Sequence, residues 1–378
     1  MNLFKRKIEY SKRNIVAGCT LVAVALLILN GCSSFGGNVS DKQLEKMQKS
    51  EHFKEGKFVN TIPQSPENFG LYWDYLKEQF GGDQIRHPPS PIPVQMLNKD
   101  SFSNLPPIGL KAIWFGHSSV YIELDGYRLM VDPVFSEYAS PFSWIGPKRF
   151  HPTPIPLELL PKIDAVMISH DHYDHLDMQT VKHLASNGTQ FYLPLGVSTH
   201  LIEWGIPSSQ IIELDWWEGA KLGTLAITST PARHYSGRSL LDYKETFWAS
   251  WSIAGPKHSV FYSGDTGYSD HFKEIGNKLG PFDLSIIKIG AYGPGQPWID
   301  IHMEAEKSVT AHQDLKAKYM LPVHWATFNM GFHDWDEPIK RTLTVAQKMN
   351  INLLTPKVGE VVQPGSPQKN AHWWEDVK

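Results

Sequence analysis

The chain has 378 residues, a formal net charge of −3 and two cysteines, Cys19 and Cys32. This length allows one large α/β domain with extensions, and the nearly balanced charge gives no reason to expect nucleic acid as a partner. Once Cys19 is removed with an export signal, one monomer can form no disulfide, so core packing and metal must hold the fold.

The first segment has the pattern of an export signal. A basic start precedes an apolar run from Ile15 to Leu29, which is shorter than the roughly 20 apolar residues of a transmembrane helix. The following Asn30-Gly31-Cys32 completes a stretch that resembles a bacterial lipobox. We therefore expect residues 1–31 to be a signal peptide. Cys32 would carry a lipid anchor in the bacterial cell envelope, at the outer membrane if the source is Gram-negative; an uncleaved anchor is the alternative.

Residues 32–107 are predicted to form a linker and an N-terminal extension. The polar stretch up to about Gly56 indicates a linker or a short helix, and Glu67 to Phe80 has a helical pattern. Proline and glycine are frequent from Gly81 to Pro107, which is typical of a loop on the domain surface.

Strand patterns begin at about residue 110 and alternate with helical ones. Residues 118–131 predict a β-hairpin around the Asp125-Gly126 turn. Further strands are predicted at residues 165–169, 191–193, 225–230, 247–253, 260–263, 284–289 and 320–323, and helices at 178–187, 303–318 and 337–349. This alternation favours two sheets covered by helices, an α/β sandwich, over residues 108–365. Residues 366–378 are predicted to be a C-terminal tail.

The strongest chemical signal is a run of potential metal ligands directly after the predicted strand that ends at Ser169. Imidazole and carboxylate are the ligands expected for catalytic zinc in an open site. On an extended backbone the first and third side chains would point the same way, and the following turn can aim the others at a second metal. The run is His170-Asp171-His172-Tyr173-Asp174-His175.

Three more candidates follow later strands: His234, Asp265 and His324. Each would be a weak signal alone, because a single histidine is usually structural. Together with the run after Ser169 they give five histidines and two aspartates at strand ends. This set is sufficient for two zinc ions with three protein ligands each and one shared carboxylate.

The pattern is similar to that of the metallo-β-lactamase superfamily, whose fold is a four-layer αββα sandwich. The resemblance implies that His170, His172 and His234 hold one zinc and that Asp174, His175 and His324 hold a second. Asp265 would bridge the two ions. An aspartate at the bridging position resembles the superfamily's phosphodiesterases and thioester hydrolases more than its lactam-cleaving members.

A narrower resemblance is to the phospholipases D that hydrolyse N-acylphosphatidylethanolamine. It extends from about Gly56 to about Gly359 and is carried by stretches such as Trp114-Phe115-Gly116-His117, Asp132-Pro133-Val134-Phe135-Ser136 and Gly146-Pro147-Lys148-Arg149-Phe150. That family's pattern has a Gln-His pair near the phosphate. Here His302 matches the histidine, whereas Ile301 replaces the glutamine.

The expected function is zinc-dependent hydrolysis of a phosphodiester in a lipid, by attack of a hydroxide shared between two zinc ions. Asp174 and Asp265 are the expected catalytic carboxylates, and His302 is a candidate for phosphate contact or proton transfer. A surface histidine at a helix start is an equally good interpretation of His302. The open alternatives are a lactonase, a cyclic phosphodiesterase, a nuclease or a β-lactamase on the same site, and a lipoprotein that binds without catalysis.

Overall fold

The structure, a computed structural model, describes residues 33–66, 69–239, 241–366 and 371–378. The predicted signal peptide and the predicted lipidation site Cys32 lie outside these residues. Within the described ranges, no helix is both long and apolar enough to span a bilayer.

Strands and helices alternate through most of the described chain. In chain order the strands are β1 (Phe53–Lys54), β2 (Lys57–Phe58), β3 (Leu110–Trp114), β4 (Val120–Leu124), β5 (Tyr127–Val131), β6 (Ala165–Met167), β7 (Gln190–Pro194), β8 (Ile211–Leu214), β9 (Gly219–Leu222), β10 (Leu225–Thr230), β11 (Ser250–Ala254), β12 (Ser259–Tyr262), β13 (Leu284–Lys288), β14 (Tyr319–Val323), β15 (Asn352–Leu353) and β16 (Val361–Val362). The α-helices are α1 (Asp41–Met47), α2 (Phe69–Gly81), α3 (Met178–Ser186), α4 (Ser198–Glu203), α5 (His271–Lys278), α6 (Gln296–Ile299), α7 (Ala305–Asp314) and α8 (Glu337–Lys348).

Two mixed sheets form the centre of the molecule. The first has the strand order β16-β3-β4-β5-β6-β7-β8, and the second has the order β15-β14-β13-β12-β11-β10-β9. Pairing is parallel from β5 to β8 and from β12 to β15, and antiparallel elsewhere in both sheets. The parallel strands are short and mostly apolar, as expected for strands covered on both faces.

The sheets pack face to face and helices cover their outer faces. Alternate residues of β3 show this, because Ala112 and Trp114 belong to the core between the sheets and Ile113 belongs to a second core. Helix α3 contributes Val181 and Leu184 to that second core. The architecture is a four-layer αββα sandwich, and the predicted fold class is therefore confirmed.

Most predicted elements of the sandwich lie close to the observed ones, but one strand start was placed too early, the strand predicted at 165–169 ends at Met167 and the helix predicted at 303–318 ends at Asp314. Strand β10 has the predicted bounds, and helix α3 begins after Asp177, whose side chain accepts a hydrogen bond from the Gln179 amide. Strand β11, however, begins at Ser250 rather than Phe247. The amides of Phe247 and Ala249 instead donate to carbonyls of residues outside the second sheet, at Leu195 and Ser169.

Both ends of the described chain pack onto the sandwich. Phe58 in β2 is fully buried and its ring stacks on Phe247 at 4.4 Å. Near the other end, Trp373 and Trp374 are buried, and Trp373 stacks on Trp325 at 5.2 Å. These segments therefore contribute to the core that supports the ends of the central strands.

Candidate metal centre

The loop after β6 carries four of the seven candidate ligands. His170 lies three residues after the end of β6, and a turn closes when the amides of His175 and Leu176 donate to the carbonyl of His172. This turn reverses the chain so that Asp174 and His175 face the same space as the two preceding histidines. All of these side chains except that of His172 are buried.

Three imidazoles form the first group of candidate ligands. Nε2 of His170 lies 2.8 Å from Nδ1 of His172, which lies 3.3 Å from Nε2 of His234. Burial, followed by the neighbouring imidazoles, lowers the pKa of His170 well below its ordinary value, and burial also lowers the pKa of His234. Both rings are therefore neutral, which is the protonation state in which an imidazole binds a metal.

The second group lies beside the first and includes His324, which follows β14. Oδ2 of Asp174 lies 3.3 Å from Nε2 of His175 and 3.5 Å from Nε2 of His324. His117 completes this group, because its Nε2 lies 2.8 Å from the same carboxylate oxygen. Burial lowers the pKa of His117 to about 3, so that its neutral ring donates a hydrogen bond to Asp174.

Asp265 lies between the two groups. One oxygen, Oδ2, is 2.9 Å from Nε2 of His324, 3.4 Å from Nε2 of His175 and 3.9 Å from Nε2 of His234. Burial opposes ionisation of this carboxyl, but His324 and His175 outweigh it and hold the pKa of Asp265 well below its usual range. A single carboxylate oxygen therefore faces ring nitrogens from both groups, as a bridging ligand would.

Buried polar atoms without a hydrogen-bond partner converge on the same space. Within the described ranges they are Oδ1 of Asp265, Nδ1 of His302, and Nε2 of both His175 and His324. Leaving such atoms unpaired costs about 1–3 kcal/mol each. Imidazole and carboxylate donors gathered in this way fit divalent metal ions, which would satisfy these atoms.

Three residues that support this site have strained backbones. His117, Asp132 and His324 have φ angles of 50°, 37° and 65°, in the left-handed region that non-glycine residues rarely adopt. Such residues cost about 1–3 kcal/mol each and persist where the surroundings fix them. Gly264, just before Asp265, also has positive φ, and a Cβ there would lie 2.5 Å from Cβ of Ser169. Only glycine allows the end of β12 to approach the ligand loop so closely.

Asp132, which was not among the predicted site residues, supports the second group from behind. It is fully buried after β5, and Oδ2 accepts hydrogen bonds from Nδ1 of His175 at 2.5 Å and from the Tyr262 hydroxyl at 2.5 Å. Oδ1 accepts from the Ser169 amide at 2.7 Å. Asp132 thus orients the His175 ring, a role carboxylates commonly play behind metal-binding histidines. Its signal in the sequence was its place directly after a strand, the position shared by the candidate ligands.

A second buried network braces the ligand loop. The carboxylate of Asp171 accepts from the Thr246 hydroxyl at 2.6 Å and lies 3.2 Å from Nε2 of His200. Arg238 donates from Nη1 to the Asp171 carbonyl at 2.6 Å, and its guanidinium stacks over the Tyr173 ring at 4.0 Å. The two residues between the ligands, Asp171 and Tyr173, are therefore held by groups from α4 and from the loop after β10.

His302 and Lys288 border the site on the side of the second sheet. Nδ1 of His302 lies 3.7 Å from Oδ2 of Asp265, and its side chain is 12% exposed. Lys288 at the end of β13 is buried, its Nζ donates to the Gly290 carbonyl at 2.8 Å, and burial lowers its pKa to about 8. The sequence signal for Lys288 is its charge within the otherwise mostly apolar run 284–289.

The structure brings together the seven candidate ligands, with His302 at the edge of the group. A small cavity lined by His117, His324, Arg86 and His333 adjoins the second group. A larger cavity of about 440 Å³ lies on the other side of the ligand loop, with Tyr173 in its wall. Only the small cavity opens on the candidate metal centre, because His324 lines it, whereas no candidate ligand lines the larger one.

Comparison with known proteins identifies the family. Residues 127–325 match the family described as Beta-lactamase superfamily domain. The chain belongs to this superfamily. The matched region contains all seven candidate ligands. Igni18, a metallo hydrolase from Ignicoccus hospitalis, is a solved structure similar to this chain, with a TM-score of 0.53 at 23% identity over 67% of this chain and 97% of that one. This likeness concerns the fold.

Two relatives extend beyond the matched region. An uncharacterised protein of Mycobacterium tuberculosis is 41% identical over 337 residues, which cover 86% of this chain and 88% of the relative. The N-acyl-phosphatidylethanolamine-hydrolyzing phospholipase D 1 of Caenorhabditis elegans is 38% identical over 252 residues, covering 64% of this chain and 70% of the relative. Family and fold together make this protein a metallo-β-lactamase-fold hydrolase, a fold that implies binding of divalent metal.

Proposed function

We propose that the protein is a two-zinc phosphodiester hydrolase that cleaves phospholipids of the N-acylphosphatidylethanolamine type in the manner of a phospholipase D. The observation that carries the two-metal part is the position of Asp265, whose Oδ2 faces ring nitrogens of both histidine groups within 4 Å. The lipid part rests on similarity to the Caenorhabditis elegans enzyme over 252 residues.

The chain supplies two complete ligand sets. His170, His172 and His234 would hold one zinc ion, and Asp174, His175 and His324 would hold the other, with Asp265 between them. Zinc supplies Lewis acidity and lowers the pKa of water toward about 7, so that a nucleophile is available at neutral pH. A side-chain nucleophile is then unnecessary.

His302 is the residue that we assign to the substrate phosphate. Its ring lies beside Asp265 and remains partly accessible, and burial holds its pKa well below the ordinary value. A neutral imidazole can donate one hydrogen bond to a phosphoryl oxygen or to the oxygen of the departing alcohol. Its amide donates to the Trp298 carbonyl at 2.9 Å, which holds the main chain of His302 beside the site.

Attachment to a membrane through Cys32 is part of the proposal. The residues that follow Cys32 lie against the wall of the larger cavity, because Nε1 of Trp204 donates to the Ser33 carbonyl at 2.7 Å and Arg238 donates to the Ser34 carbonyl at 2.8 Å. A lipid on Cys32 would therefore hold this face of the domain beside the bilayer of the cell envelope, where a phospholipid substrate is available.

The decisive experiment measures hydrolysis of N-acylphosphatidylethanolamine and of bis(p-nitrophenyl) phosphate by the full chain in detergent, with bound metal counted before and after chelation. We expect turnover of both substrates, loss of activity with the metal and recovery on adding zinc. Asp265→Asn should abolish turnover, because it removes the shared carboxylate. Cleavage of the simple diester alone would reject the lipid substrate, and cleavage of only a lactone or a cyclic phosphodiester would reassign the enzyme. A protein that binds no metal and cleaves nothing would be a binding lipoprotein.

A further inference from the structure

The N-terminal segment of residues 58–65, here called the strap, runs from the core to the candidate metal centre. It is anchored at Phe58, which is fully buried and whose amide donates to the Lys244 carbonyl at 2.8 Å. The strap lies outside residues 127–325, the region that matches the superfamily. The strap therefore contributes to the site from outside the region that matches the superfamily.

Asn60 in the strap binds both main-chain polar atoms of His234. Its Nδ2 donates to the His234 carbonyl at 2.8 Å, and its Oδ1 accepts from the His234 amide at 3.1 Å. The same Oδ1 accepts from Nε1 of Trp248 at 3.0 Å. Asn60 is 9% exposed, so these hydrogen bonds are shielded from water.

This pairing replaces the hydrogen bonds that regular structure would provide. His234 lies in an irregular loop four residues after the end of β10, so no strand or helix fixes its main chain. Its ring contacts the next loop, where Nδ1 lies 3.2 Å from the Ile301 carbonyl. A ligand must hold its position to within about 0.2 Å for good coordination, and the amide of Asn60 supplies that restraint from the backbone side.

The far end of the strap ties the two neighbouring loops together. Arg233 donates from Nη2 to the Pro63 carbonyl at 2.7 Å and pairs through Nη1 with Asp300 at 2.9 Å. The other oxygen of Asp300 accepts from the Ser65 amide at 2.7 Å. The strap thus connects the loop that carries His234 to the loop that carries His302.

We infer that Asn60 is a positioning residue for metal binding, and that the strap sets the affinity of the zinc ion held by His170, His172 and His234. The inference rests on the proposed metal site but is independent of the lipid substrate. Loss of a residue that orients a metal ligand typically lowers affinity by roughly 10- to 100-fold. We expect Asn60→Ala to weaken one of the two zinc ions by this factor and to leave the other within about threefold.

The test measures zinc affinity of the full chain in detergent by competition with a chromophoric chelator. Asn60→Asp is a second variant: it keeps the acceptor for the His234 amide but sets a carboxylate oxygen against the His234 carbonyl oxygen, so it too should weaken zinc binding. Phe53→Ala is the matched control: Phe53 packs on Phe58 at 4.9 Å in the adjoining hairpin without touching His234. It should lower stability but not zinc affinity.

A double-mutant cycle separates positioning from general support. In a His234→Ala background, Asn60→Ala should change zinc affinity by less than about threefold, because the ligand that it positions is gone. Hydrogen exchange of the metal-free protein gives an independent readout, since exchange of peptides covering residues 231–238 should accelerate in Asn60→Ala and not in Phe53→Ala.

Three results would overturn the inference: unchanged zinc affinity in Asn60→Ala, an equal loss in Phe53→Ala, or an equal loss in the His234→Ala background. A wild-type protein that binds zinc and shows the expected coupling but cleaves no lipid would reject the lipid substrate and keep the inference. A wild-type protein without zinc affinity would reject both.

Discussion

Replacement of Asp132 by asparagine tests how the site is built, because it changes one atom of a fully buried residue that orients a candidate ligand. In the native protein Oδ2 accepts from His175 and Tyr262, and Oδ1 accepts from the Ser169 amide. An asparagine can present its oxygen to one side only. Whichever way the amide turns, at least one buried donor loses its acceptor.

The magnitude follows from this count of donors. One unpaired buried donor costs about 1–3 kcal/mol, so the free energy of unfolding of the metal-free protein should fall by at least that amount. Because the His175 ring loses its orienting carboxylate, zinc affinity should fall roughly 10- to 100-fold, equivalent to about 1.4–2.8 kcal/mol. Chemical denaturation measures the first quantity, and competition with a chelator measures the second.

Asp125 provides a matched control at the far end of the sandwich. It too is buried with positive φ, at 44°, and it accepts from Nδ1 of His258 at 2.7 Å and from the Lys257 amide at 2.8 Å. Asp125→Asn should lower stability by a similar amount and leave zinc affinity unchanged. If Asp132→Asn keeps wild-type zinc affinity, or if both variants lose it equally, the assigned role of Asp132 is wrong.

Three further predictions concern the stability of the whole domain. Trp373→Ala should lower the free energy of unfolding by about 3–5 kcal/mol, because Trp373 is buried against Trp325. His372→Ala, at a half-exposed neighbouring residue, should change the free energy of unfolding by less than about 0.5 kcal/mol in the same denaturation assay. Equal effects of the two substitutions would contradict the packing argument. Burial lowers the pKa of His312 to about 4, below the unfolded value of 6.5, so the unfolded chain takes up the proton first and stability falls as pH drops from 6.5 toward 4. At pH 5 this effect amounts to about 2 kcal/mol. Urea titrations of the metal-free proteins at pH 7.5 and 5 should therefore show a smaller pH dependence of stability for His312→Asn than for the wild type. An equal pH dependence in the two proteins would reject the lowered pKa of His312. Removal of zinc by a chelator should lower the melting temperature, because zinc at 1,000 times its Kd stabilises the native state by about 4 kcal/mol. The melting temperature of His170→Ala should fall less on chelation than that of the wild type. A wild-type melting temperature that does not change on chelation would count against a metal site.

The candidate ligands could be found from the sequence because their signal is local. His170 to His175 form one short run after an apolar strand, and Asp265 and His324 each follow a strand of their own. The carboxyl ends of neighbouring parallel strands meet at one edge of a sheet, so these positions could be expected to converge. The same rule would have indicated Asp132, which directly follows β5.

Other features carry no local signal. Asn60 bonds to His234 across 174 residues of sequence, and nothing in its neighbourhood shows which main chain it will meet. Strands β15 and β16 have two residues each, too few for an alternating pattern to be visible. The late start of β11 depends on carbonyls at Leu195 and Ser169, which only the assembled sandwich brings within reach.

The placement of ligands on both sheets gives the centre a mechanical property. His170 to His175 lie in a loop that follows a strand of the first sheet, whereas His234, Asp265 and His324 lie in loops that follow strands of the second. Metal ions at this point would act as clamps between the layers, because coordination tolerates displacements of only about 0.2 Å. Sliding of one sheet over the other must strain the metal–ligand bonds before the cores separate. A cobalt-substituted protein under hydrostatic pressure should therefore report that sliding through its visible spectrum, at pressures below those that unfold it.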